Sequence, residues 1–110
     1  MRKYNTLRNY KNFKKVYREF VVFIKNGNYL CTYDSDARIL MYLNKDYSET
    51  LKYSILKIDF KKIIKILHDN NLNVVLCGYK KSSEYYTSLI SKYDEKVKVS
   101  KEWYKNERYK

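Results

Sequence analysis

The sequence predicts a single α/β domain built on a mixed β-sheet of four to six strands flanked by helices. Three observations carry that prediction. Asn26-Gly27 lies between the apolar runs Phe20 to Ile24 and Asn28 to Tyr33, and Asn-Gly is the strongest short hairpin signal because both residues tolerate the positive φ of a tight turn. The segment Asp59 to Asn70 sets Phe60, Ile63, Ile64 and Leu67 on one stripe of a helix, with Asp59 as its N-cap. Directly after it, Asn73 to Cys77 is an apolar run stopped by Gly78 and reads as a buried strand.

The other elements follow in chain order. Thr6 to Glu19 has helical spacing, with Tyr10, Phe13, Val16, Tyr17 and Phe20 on one arc and Arg8, Lys11, Lys14, Lys15 and Arg18 on the opposite one. Phe20 to Ile24 reads as a central strand buried on both faces. After the hairpin, Asp34-Ser35-Asp36 supplies N-cap side chains and negative charge to a helix whose inner face is Ala37, Leu40, Met41 and Leu43, ending near Asn44. Lys45 to Thr50 reads as a loop and Lys52 to Ile58 as a strand. Beyond Gly78, Tyr85, Tyr86, Leu89, Ile90 and Tyr93 have helical spacing. Lys96 to Ser100 reads as an edge strand, and Glu102 to Lys110 as a charged helical end, with 101–110 as a frayed tail.

The chain of 110 residues is long enough for one core, and residues 1–110 are read as one stand-alone domain. Its 24 Lys+Arg against 12 Asp+Glu leave +12, which points to a polyanionic partner. The charge concentrates at the front, where residues 1–19 hold seven basic side chains and one acidic. A competing source of the same basicity is AT-rich coding, since lysine outnumbers arginine 19 to 5, alanine occurs once and proline never. The stripe on the first helix has the same two readings, a solvated face or an anion-binding one. Five like charges without an interposed carboxylate repel one another.

Catalysis finds no constellation. His68 is the only histidine and sits where it complements a helix C-terminus, and Asp34 and Asp59 are accounted for as caps. No metal-ligand spacing and no phosphate-binding Gly-rich loop occur, so neither a metal, another cofactor nor ATP is expected. Cys31 and Cys77 read as reduced core thiols. No apolar run reaches the ~18 residues of a membrane span and no signal peptide is visible, so a cytoplasmic protein is expected. Tyr29, beside a turn flanked by Lys25, Asn26 and Asn28, is the tyrosine best placed to meet a nucleic acid, unless strand alternation turns it into the core.

The run Gly27-Asn28-Tyr29-Leu30-Cys31-Thr32-Tyr33-Asp34-Ser35-Asp36-Ala37 resembles a pattern in the N-terminal mismatch-recognition domain of MutS DNA repair proteins. That pattern runs Gly-Asp-Phe-Tyr-Glu, two or three mostly apolar residues, then Asp-Ala. The resemblance is strongest over residues 7–79. It matches identically at Gly27, Asp36 and Ala37, and aromatic for aromatic at Tyr29 and Tyr33. It implies an α/β fold like that domain and binding of duplex DNA; together with the turn and the basic stripe, the candidate contact residues are Tyr29, Asn28, Lys25, Arg8, Lys11, Lys14, Lys15 and Arg18. The family places a wedging Phe and a base-pairing Glu where this chain has Tyr29 and Cys31. Backbone contacts should therefore dominate, with weak or no mismatch discrimination. The alternative is an adaptor that keeps the fold and docks a repair or replication protein without binding DNA. A stand-alone domain of an AT-rich bacterium or one of its mobile elements suits either reading.

Overall fold

The structure, a computed structural model, describes residues 5–79 and 81–110; Arg2 and Lys3, counted in the N-terminal charge, lie outside them. Its elements are α1 (Thr6–Val16), β1 (Phe20–Asn26), β2 (Tyr29–Tyr33), α2 (Asp34–Asn44), β3 (Lys52–Leu56), a 3-10 turn (Lys57–Asp59), α3 (Phe60–Asp69), β4 (Asn73–Cys77), β5 (Ser82–Tyr85) and α4 (Tyr93–Arg108). The five strands form one sheet in the order β3-β2-β1-β4-β5, with β1 and β4 parallel and the other pairs antiparallel. This is the mixed α/β sheet that the sequence predicts.

Alternation along the strands divides the core. One face carries Val22, Ile24, Cys31, Tyr33, Val75 and Cys77 under α1, which contributes the buried Tyr10 and the half-buried Phe13, with the half-buried Tyr17 just past its end. The other carries Val21, Phe23, Leu30 and Val74 against Ile39 and Leu40 of α2 and Phe60, Ile63 and Leu67 of α3. The strand β1 is buried on both faces from Val21 to Ile24, which is why it has no polar alternation to read. Outside these layers α4 packs on α2, where Ala37 and Met41 meet Tyr104 and Trp103. Ser100, a small side chain, is fully buried on the α4 side.

Several boundaries differ from the sequence reading for identifiable reasons. The hairpin turns one residue later, at Gly27-Asn28, because Asn26 still pairs with Tyr29. Only Gly27 has a positive φ there, the arrangement of a type II′ turn with glycine first. The strand expected to reach Ile58 ends at Leu56, where the 3-10 turn begins. Val16, expected inside, is 74% exposed, because α1 stops there and the chain bends toward β1.

Beyond Gly78 the prediction is overturned. Tyr85 belongs to the edge strand β5, whose Ser-Ser-Glu-Tyr sequence has little intrinsic β preference and is held by pairing with β4. Leu89 and Ile90 lie in an exposed loop rather than on a helix. The segment read as an edge strand, Lys96 to Ser100, is the middle of α4, and the tail read as frayed is the rest of that helix as far as Arg108.

Both cysteines are free and buried, as expected. Each is aligned with Ile24, Cys31 from β2 and Cys77 from β4, so the whole of β1 separates them. Two strand spacings, roughly 9.6 Å, exceed the reach of a disulfide, about 7 Å between Cα atoms. Burial pushes the Cys77 thiol up to about 12, so it stays protonated and a poor nucleophile.

Candidate nucleic-acid interface

The contact residues expected from the sequence fall on two separate surfaces. The first is the outer side of α1. Asn5 starts this helix by accepting the Arg8 N–H at 3.0 Å, a cap that the sequence reading passed over. Arg8, Lys11, Lys15 and Arg18 are exposed, the first three along the helix and the last just past its end. None of the four takes part in a salt bridge among the described residues. Lys11, Lys15 and Arg18 line a shallow groove of about 310 Å³ with Asp34 and Ser35 at the start of α2. Glu19 and Asp94 edge the next depression along, so carboxylates border the stripe without cancelling it.

Lys14 is the exception, and its place in the stripe is corrected. Its side chain turns inward and bonds the Phe20 carbonyl, with Asp36 Oδ1 at 3.1 Å and Oδ2 at 3.0 Å. Burial lowers its pKa and the Asp36 carboxylate opposes that shift. With its ammonium bonded to Asp36 and the Phe20 carbonyl, Lys14 holds the helix down, and only part of its side chain reaches the groove.

Asp36 is the centre of that interior network. It is 0% exposed and accepts from Tyr10 Oη at 2.8 Å, the Val22 N–H at 3.0 Å and Tyr93 Oη at 2.5 Å, besides Lys14. These donors come from α1, β1 and α4, so one carboxylate on α2 ties four elements together. The expected capping role is corrected: no side chain caps α2, and its entry is set instead by Asp34, whose φ is 51° and whose N–H donates to the Leu51 carbonyl at 3.1 Å. A positive φ at a non-glycine residue is a strained conformation that aspartate tolerates better than most. Asp59 likewise makes no side-chain cap on α3.

Burial first, and then the negative charge of Asp36, push the pKa of Tyr10 and Tyr93 far above that of a free phenol. In the unfolded chain both lose their protons near pH 10, whereas the folded protein holds them. Their contribution to stability is therefore complete below pH 10 and falls as pH climbs past it. Alkaline titration should show a late group of phenolates appearing only together with unfolding, and Tyr10→Phe or Tyr93→Phe should shrink that group. A single phenolate transition in a folded protein would contradict this.

The second surface is the end of the sheet at the hairpin. Tyr29 is 51% exposed, so alternation does not carry it into the core. It lies on the same sheet face as Cys31 and Tyr33, the face that α1 covers, but the length of β2, roughly 13 Å, separates it from Tyr33 and the basic groove. Asn28 is exposed in the turn, and its carbonyl accepts the Lys57 N–H at 2.9 Å. Lys25 is aligned with Leu30 and so faces the opposite side, lying across Gly78. The eight residues thus do not converge on one site.

His68 is half-buried at the end of α3, with Nε2 3.1 Å from the Tyr85 carbonyl. No group of three His, Cys, Asp or Glu side chains among the described residues is placed to hold a metal ion. No helix among them is long and apolar enough to cross a membrane. Compared with known families and with curated proteins, the chain matches no family model and no curated protein.

Proposed function

We propose that this chain is a duplex-DNA-binding domain related to the mismatch-recognition domain of MutS, acting in the bacterial cytoplasm and gripping the phosphate backbone with α1. The supporting observation is the set of four exposed cations, Arg8, Lys11 and Lys15 on α1 and Arg18 just past its end, with the helix anchored from beneath by the Lys14 bond to the buried Asp36. A helix fixed in this way presents its charges without first having to be ordered, which reduces the entropic cost of binding. Phosphate contacts of this kind set affinity and register but carry no sequence information.

Discrimination between matched and faulty duplexes is weak on this reading. A wedge must leave water and enter a base stack, and the Tyr29 hydroxyl would be buried there without a partner, which costs free energy. The Cys31 thiol is fully buried, 3.4 Å from the Ser54 hydroxyl, and a thiol is in any case a weak partner for a base edge. The test is a side-by-side titration of matched, G·T-mismatched and singly bulged duplexes, with polyglutamate as a non-nucleic polyanion for comparison. The expected result is binding of all three duplexes within a few-fold of one another, well above polyglutamate, and little changed by Tyr29→Ala. A preference for the faulty duplex above about a hundredfold, roughly 2.7 kcal/mol, abolished by Tyr29→Ala, would mean that a base-reading site is intact.

A further inference from the structure

Four large apolar side chains stand exposed at one end of the sheet. Tyr29 begins β2 and Leu56 ends β3, aligned with each other on adjacent strands, so their Cβ atoms lie about 5 Å apart on the same face. Ile58 follows in the 3-10 turn that the Lys57 N–H pins to the hairpin through the Asn28 carbonyl. Tyr79 follows β4, two residues past the Ile24–Cys77 pair, in the turn closed by the Gly78 N–H on the Lys81 carbonyl, at the same end of the sheet. Leu56 is 42%, Ile58 87% and Tyr79 84% exposed. The patch runs across the ends of β3, β2, β1 and β4, roughly 15 Å at one strand spacing per step.

Its charge has one sign. The loops that form it are residues 25–29, 56–58 and 78–82, and they contain Lys25, Lys57 and Lys81 among the described residues and no carboxylate. The Lys25 side chain lies over Gly78 and so bridges two of these loops. The nearest acids in sequence, Asp59 and Glu84, lie outside the loops, and Asp59 is half-buried at the start of α3.

We infer that this end of the sheet is a docking surface for a protein partner, and that the partner is an acidic segment with apolar anchors. Charge complementarity selects the acidic rim: lysines flank the patch, none of Lys25, Lys57 and Lys81 takes part in a salt bridge among the described residues, and like-charged partners are disfavoured there. The two aliphatic side chains select a protein rather than a nucleic acid. Tyrosine can stack on a base, but Leu56 and Ile58 have no π-face to offer and instead fit apolar anchors at the centre of a protein interface. The surface is separate from the α1 stripe, so the inference does not rest on DNA binding and both partners can be held at once.

The experiment is selection from a displayed library of random short peptides against the whole chain, followed by affinity measurements on synthetic copies of the enriched peptides. The expected outcome is enrichment of peptides that combine Asp or Glu with Leu, Ile, Phe or Trp. Ile58→Ser with Tyr79→Ser should weaken them at least about tenfold, and Lys57→Glu comparably. Both sets of side chains are exposed, so the variants should keep the parent's circular dichroism and its duplex affinity. Enriched peptides that are not acidic, no enrichment, or affinities indifferent to these substitutions would overturn the inference. So would a thymidine oligonucleotide that competes the peptides away and whose own binding is lost in the Ile58→Ser, Tyr79→Ser variant.

Discussion

Replacing Asp36 by alanine is expected to cost about 3 to 5 kcal/mol of folding stability, the usual loss when one member of a buried ion pair is removed. The substitution removes the shared acceptor of two buried phenols and the Val22 N–H in one step, and leaves the part-buried Lys14 ammonium with the Phe20 carbonyl alone. Lys14 can soften the loss by releasing its proton, which burial already favours, but the other three donors have no such recourse. Tyr10→Phe and Tyr93→Phe each remove one hydrogen bond to a charged group and should cost less, roughly 1.5 to 3 kcal/mol each. Because all these groups share one carboxylate, the double tyrosine variant should depart from additivity. Urea denaturation of the parent and the four variants checks this, and a loss below about 1 kcal/mol for Asp36→Ala would contradict a hub role.

Leu67→Ala is expected to cost about 2 to 5 kcal/mol, and Ile64→Ala distinctly less, on the order of 1 kcal/mol. Both residues lie on the apolar stripe of α3, and the sequence alone does not rank them. Leu67 is fully buried in the sheet-facing core, whereas Ile64 is only half-buried at its margin. The cavity left at Leu67 lies within the packed cluster that also holds Phe60, Val74 and Leu72, while the space left at the half-buried Ile64 is at its edge. Equal losses from the two substitutions would show that α3 sits on the sheet in a different rotation.

What was legible in the sequence is what local periodicity controls. The stripe of α3 and the run of β4 each bury a pattern complete within one element, and Asn73–Cys77 was read to the residue. The region after Gly78 departs from its sequence pattern because its structure is decided from outside. The strand β5 exists through its partner β4, and α4 buries a narrow seam against α2 rather than a broad face against the sheet. That seam, Tyr93, Val97, Ser100 and Tyr104, does recur at spacings of four, three and four. Its serine, the buried Ser100, breaks the apolar pattern. Asp36 was misjudged for a related reason. A carboxylate in the first turn of a helix looks like a cap, and only the convergence of α1, β1 and α4 around it reveals the inward orientation.

The identities that carry the resemblance, Gly27, Asp36 and Ala37, all have a physical role in the fold: the turn glycine, the buried hub and a small residue where α2 meets α4. They bear on architecture. The case for DNA rests instead on the charge of α1, which is why the contact set narrows once Lys14 is seen to point inward.

The salt dependence of matched-duplex affinity tests that claim most directly. Four phosphate contacts through Arg8, Lys11, Lys15 and Arg18 predict a log–log slope of about −3.6, at about −0.9 per neutralised phosphate. Changing all four to glutamine should bring the slope close to zero while leaving the circular dichroism and urea midpoint of the parent intact, since none of the four is buried. An unchanged slope in the folded quadruple variant, or no binding by the parent at low salt, would contradict the account.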